Sequence, residues 1–282
     1  LQSLAVYFRE RFPLLAGGTL SGGTAVWITA VFSEHKLDQT IFALTGLIAL
    51  TFMAFLLRQR VMDEFKDRGH DDANYPNRPF QRGAISARTL IALGCFALAI
   101  EIGAVLTISL IAQSWQSVFA YLGVLAFSAL TFFEFFASSW LEKHFTVYFA
   151  SHQAIFVFFG IWGCSIYGQK NPAHALAGII VLVAIMATVE VMRKFEIRRD
   201  AAGVVVADTY PAVWGRKQSI WFMALAMLTA CLLIAPYKGW WFALLGLVTV
   251  LGGTGRARPT DKVIQIAVFA QFIGLGTLAF LS

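Results

Sequence analysis

The chain has 282 residues, of which 58% are hydrophobic and only 13% charged, with a net charge of +6. A soluble domain carries about 25% charged residues, so a water-soluble globule is excluded and a membrane-embedded chain is indicated. No basic run is interleaved with aromatics in a polar domain, which argues against a nucleic-acid partner and leaves topology and anionic lipid to explain the positive charge.

Nine apolar stretches follow one another, at 13–33, 40–59, 89–111, 115–138, 146–167, 173–192, 218–236, 239–253 and 263–281. Most reach the roughly 20 residues that cross the hydrocarbon core as a helix; the eighth is short. They predict an all-α polytopic membrane protein of nine transmembrane helices in one bundle. No polar segment is long enough to fold apart, so 1–282 reads as a single domain. Cys95, Cys164 and Cys231 fall within predicted spans and read as apolar packing residues.

Charge sorting supports this map. With nine spans, one side receives the N-terminus and the connections after spans 2, 4, 6 and 8. All of the 22 Lys and Arg except Lys36, Lys170 and Lys238 fall on that side. Positive residues mark the cytoplasmic face. The expectation is a multi-pass protein of the cell inner membrane, with a cytoplasmic N-terminus.

Two connections on that face are long, about 60–88 and 193–217, and both continue charge off the end of an apolar stretch. In the first, Asp63, Asp67 and Asp71 are spaced by four, so a continuous helix would set them on one face. Three like charges there repel unless a cation joins them, and carboxylate oxygens suit magnesium. Lys66, Arg68, Arg78 and Arg82 accompany them and can bind phosphate oxygens. The composition is that of a metal-diphosphate site; a solvated helix end is the plainer alternative. In the second, Glu196 and Asp200 are four apart, as are Glu190 and Lys194. These acids can hold a second magnesium, while Glu190 and Lys194 can equally form an ion pair within one helix. Arg193 and Lys194 are diphosphate clamps or simply boundary charges.

Two acids lie in apolar surroundings. Glu101 sits about 20 Å into span 3 at 1.5 Å per residue, and intramembrane carboxyls are functional candidates by default. It can steer a cation or bind an acceptor, or it can be a carboxyl bonded to a neighbouring helix. Glu134 lies near the cytoplasmic end of span 4 and can face the same cavity.

Asp63-Glu64-Phe65-Lys66-Asp67-Arg68-Gly69-His70-Asp71, followed by Asn77-Arg78-Pro79 and Gly83, resembles the first aspartate-rich motif of the UbiA superfamily of intramembrane prenyltransferases. That motif reads N-D-x-x-D-x-x-x-D, then N-R-P-x-x-x-G. Arg11-Phe12-Pro13 resembles the Arg-Pro that opens the family's first helix, and Lys143-His144-Phe145-Thr146 its K-R-x-T. Glu196 to Asp200, with Trp214-Gly215 beyond, resembles its second acidic motif. Asp63 replaces the first motif's Asn, Glu64 its first Asp, and Glu196 an Asp of the second.

The resemblance implies nine helices around a central cavity and two Mg2+ ions bridging an isoprenyl diphosphate. Asp63, Asp67 and Asp71 would hold one ion, and the acids of the second loop the other. It also places Asp67, Asp71 and Lys143 among the catalytic residues. The expected activity is prenyl transfer to a lipophilic, aromatic acceptor. A terpene cyclase of the same superfamily, which needs no acceptor, is the alternative. A divalent-cation transporter is a distant third, because only Glu101 is deep.

Overall fold

The computed structural model describes residues 2–33, 38–199, 203–238 and 261–281. The helices are α1 (Gln2–Glu10), α2 (Leu14–Phe32), α3 (Gln39–Lys66), α4 (Arg68–Asn74), α5 (Ala87–Ile111) and α6 (Gln116–Phe132), then a short turn at Glu134–Phe136. They continue with α7 (Ser138–Leu141), α8 (Phe145–Gln153), α9 (Ile155–Tyr167), α10 (Pro172–Arg193), α11 (Tyr210–Val213), α12 (Arg216–Lys238) and α13 (Asp261–Leu281). The caps match the sequence. Asp38 accepts from the Ile41 amide, Ser86 from Thr89, and Asn171 from Ala173 and His174, with Pro172 opening α10.

Among the described residues, six helices are long and apolar enough to cross a membrane, counting α8 and α9 together as Phe145–Tyr167. The apolar parts of α6 and α13 are shorter, at Gln116–Phe132 and Val268–Leu281. The fourth expected span, 115–138, stops at Phe132 because the chain turns left-handed at Glu134. The eighth, 239–253, lies outside the described residues.

The chain divides into two compact units. The first comprises Leu1–Ala25 and His35–Trp140, and the second Val26–Glu34 and Leu141–Ser282. In the first unit, α3 packs chiefly along α5. Tyr7, Phe12, Val61, Ile85 and Leu90 form a buried cluster that seats the amphipathic α1 beside the acidic end of α3.

In the second unit α10 is central, packing on α9, α12 and α13. The Trp27 indole donates to the Phe272 carbonyl at 2.9 Å. Close approach of Phe32 requires two glycines. A Cβ at Gly163 would come within 2.6 Å of the Phe32 ring, and one at Gly178 within 2.5 Å of Val31 and 2.6 Å of that ring. Phe32 is fully buried and has no room to withdraw. Small residues let membrane helices approach this way. Gly163→Ala and Gly178→Ala should each cost about 1–3 kcal/mol through overpacking, read as a lower melting temperature in detergent. Unchanged melting in both would contradict the packing.

Candidate active site

The acidic end of α3 is divided between two ionic clusters. The helix runs to Lys66, and the backbone departs from helical geometry at Asp67 (φ −89°, ψ 9°) before α4 begins. Asp63 and Asp67, one turn apart, remain together. Each has a carboxylate oxygen 3.9 Å from Lys66 Nζ, and Glu134 reaches the same ammonium at 3.8 Å. Partial burial, then the Asp63 carboxylate, push the Asp67 carboxyl up to about 6; Lys66 pulls the other way. The side chain is still 45% exposed, which leaves it open to an incoming ion.

Asp71 turns elsewhere. It is buried in ion pairs with Arg78 and with Arg11, the latter at 3.7 Å. Fully buried Glu64 accepts from Arg11 Nε at 2.7 Å, with Arg60 at 3.4 Å. The one-face expectation for Asp63, Asp67 and Asp71 assumes regular helical dihedrals; the backbone deviates at Asp67 while its hydrogen bonds to Asp63 and Asp71 continue at 2.9 Å, and the Asp71 carboxylate pairs with arginine. Among the described residues, no three His, Cys, Asp or Glu are placed to hold a metal ion as they stand.

The expected phosphate clamps are distributed in the same way. Arg78 lies 3.9 Å over the Tyr75 ring and pairs with Asp71. Arg82 forms a two-pronged pair with Glu10 of α1, both contacts 2.9 Å. That pair holds the Glu10 carboxyl below its ordinary range and Arg82 above its own. Arg68 lines a cavity of about 260 Å³ with Asp72, Pro76, Phe80 and Gln81. The turn that shapes this loop is the Asn77-Arg78-Pro79 segment, closed by Ala84 N–H to the Pro79 carbonyl at 2.8 Å. Gly83 sits there at φ 74°, where a side chain would be strained.

Glu134 arrives by an unusual route. Glu134, Phe135 and Phe136 have φ of 48°, 54° and 58°, a left-handed run that costs non-glycine residues about 1–2 kcal/mol each. Sequence reading had the carboxylate near this rim but nothing to place it on Lys66.

Glu101 is also placed by a partner the sequence does not announce. It is fully buried, and Arg58 grips it with Nε at 2.6 Å and Nη2 at 3.1 Å. Tyr121 donates to it at 2.8 Å, and Arg58 Nη1 donates to Ser128 at 2.8 Å. The network joins α3, α5 and α6 and offsets the carboxylate charge. The available signal was Arg58 itself, a guanidinium inside an apolar run that must find an acid.

In the second unit, Glu190 at the end of α10 pairs with Arg193 at 2.8 Å and Lys194 at 3.3 Å, and accepts from the Tyr210 hydroxyl at 3.3 Å. Burial, then Glu190, raises the Tyr210 phenol well above its ordinary range, so it remains a donor. Glu196 pairs with Arg198 at 2.6 Å, and Arg198 also reaches Asp208 at 3.4 Å. Asp200 lies outside the described residues. Lys143 is exposed in the connection between α7 and α8. Phe145, Phe149, Tyr210, Trp214 and Phe222 form an aromatic group of edge-to-face and tilted contacts, and Trp214 donates to Thr146 at 3.1 Å. Gly215 follows at φ 92°.

Comparison with known proteins matches the chain to one family. No curated protein matches the chain in sequence. Among solved structures, digeranylgeranylglyceryl phosphate synthase is similar over 100% of this chain and 99% of its own, with a TM-score of 0.56 and 15% identity. A UbiA homolog from Archaeoglobus fulgidus, bound to GPP and Mg2+, is similar over 98% of this chain and 100% of its own, with a TM-score of 0.51 and 14% identity. The same homolog bound to DMAPP and Mg2+ gives a TM-score of 0.50 at 14% identity, over 97% and 98% of the two chains. At this identity the likeness establishes the fold. The family model of UbiA prenyltransferases matches residues 18–262, and the chain, an integral membrane protein, therefore belongs to the UbiA prenyltransferase family.

Proposed function

We propose that this protein is a magnesium-dependent intramembrane prenyltransferase, moving an isoprenyl chain from its diphosphate to a lipophilic acceptor. The observation that carries the reading is the convergence of Asp63 and Asp67 on a single cationic position, now taken by the Lys66 ammonium. Magnesium is commonly held by one or two carboxylates together with substrate phosphates. Two converging oxygen donors therefore suit the ion without a three-residue cage. The Archaeoglobus homolog, bound to prenyl diphosphates and Mg2+, supports the same pairing.

In this reading Asp63 and Asp67 hold the ion. Lys66 and Arg68 donate to diphosphate oxygens, and Asp71, gripped by Arg11 and Arg78, braces the loop. Glu196 and Asp200 are ligands for a second ion, while Glu190 orders Arg193, Lys194 and Tyr210. The ion's chemistry is to offset charge gathering on the departing diphosphate. The apolar helices take the isoprenyl tail and keep water from the allylic centre. The charge sorting along the chain supports an inner-membrane protein whose N-terminus and acidic segments are cytoplasmic.

Transfer is favoured over cyclisation by Glu101, since the carboxylate that would steer a carbocation is matched by Arg58. Incubation with a polyprenyl diphosphate and Mg2+, without acceptor, is the test. Transfer predicts substrate recovered intact, with turnover restored by an aromatic acid or quinone precursor. A cyclic hydrocarbon would establish the cyclase instead.

A further inference from the structure

The transfer reading gives Lys66 a role as a diphosphate donor but leaves its contact with Glu134 unused. The Lys66 ammonium has three carboxylates around it: Asp63 and Asp67 at 3.9 Å and Glu134 at 3.8 Å. The first two flank Lys66 at the end of α3. The third comes from the far end of α6, through the left-handed turn. Ring contacts within the turn and back to α6 accompany it. Phe135 meets Phe127 edge-on at 5.5 Å, and Phe133 stacks on Phe136 at 5.5 Å with planes 10° apart. Glu134 and Lys66 are both largely buried, with 15% and 12% of their side chains exposed.

A divalent ion arriving at Asp63 and Asp67 must displace an ammonium tethered between them. A tethered competitor acts at high effective concentration, so Lys66 opposes the ion unless it has another anion to move to. Glu134 is that anion, already in contact and supplied by a different helix. We propose that Glu134 is a positioning residue acting through Lys66. It keeps the ammonium at the rim while Asp63 and Asp67 turn to the ion, and leaves the lysine beside the ion as a donor to diphosphate. This rests on the reading that Asp63 and Asp67 take a divalent cation.

The test is a double-mutant cycle on the full chain in detergent, with Mn2+ titrated and its free-ion paramagnetic resonance signal followed. Glu134→Gln should weaken Mn2+ binding about tenfold in the presence of Lys66, and less than about twofold in a Lys66→Gln background. Lys66→Gln alone should bind Mn2+ at least as tightly as the unmutated protein. Equal losses in the two backgrounds overturn the proposal, because Glu134 then acts on the ion directly or through the fold. Glu134→Ala, run through the same cycle, guards against an effect peculiar to the amide, and additive behaviour with either variant overturns the proposal. If the unmutated protein binds no Mn2+ and Asp67→Asn changes nothing, the metal reading itself falls and takes this one with it.

Discussion

Asp67→Asn is expected to lower turnover of a prenyl diphosphate by about a thousandfold, the scale seen when an electrostatic group is removed from a developing charge. The substitution keeps shape and removes the charge that an ion needs. Its pH signature is equally specific. The Asp67 carboxyl is raised from its ordinary 3.8 to about 6, by burial first and then by Asp63. Only the carboxylate binds a cation, so Mg2+ affinity and turnover should fall together as pH drops through about 6.

Stability follows the opposite sign. Between pH 3.8 and about 6 the folded protein holds the Asp67 proton more tightly than the unfolded chain does. Without metal, raising the pH through that window should therefore reduce stability. Above it the penalty of the crowded carboxylate is fully present, and a bound ion should relieve it. Thermal melting with and without Mg2+ should differ at about pH 8, and should converge at about pH 5. Asp67→Asn should abolish the difference at the higher pH. If Mg2+ stabilises the Asn variant as it does the unmutated protein, Asp67 is not a ligand.

Breaking the Arg58–Glu101 pair should have the largest effect on folding. Glu101→Leu alone leaves a buried guanidinium uncompensated and should cost about 3–5 kcal/mol. Tyr121 also loses its acceptor, which adds to the cost. Arg58→Met together with Glu101→Leu removes both charges and replaces them with apolar volume, and should fall within about 1–2 kcal/mol of the unmutated protein. Denaturation in one detergent, compared across the two singles and the double, reads this directly. The double variant should also keep its prenyl diphosphate turnover, because Glu101 is committed to Arg58. Loss of turnover in a stable double variant would return Glu101 to the chemistry.

The difference between Asp71 and Glu134 shows where sequence reading stopped. Spacing by four predicted a face shared by Asp63, Asp67 and Asp71, and the first two do converge. The third pairs instead with Arg78 and with Arg11, which follows α1 more than fifty positions upstream. Glu134 was visible as an acid near the end of an apolar stretch. Its path to Lys66 depends on three left-handed residues, a conformation no local pattern announces in Glu-Phe-Phe.

The apolar character of most spans, the capping side chains Asp38, Ser86 and Asn171 and the glycine-closed turn after Asn77-Arg78-Pro79 are local properties of the sequence, although the fourth stretch ended early, at Phe132. Each depends on local chemistry: transfer of side chains into lipid, satisfaction of free amides, and the allowed range of φ. Which arginine meets which carboxylate was decided only by tertiary structure. Any of the basic residues attracts any acid, and only packing brings Arg11 to Glu64, Arg58 to Glu101 and Lys66 to Glu134. Coulomb attraction carries no address along the chain; the helix contacts supply it.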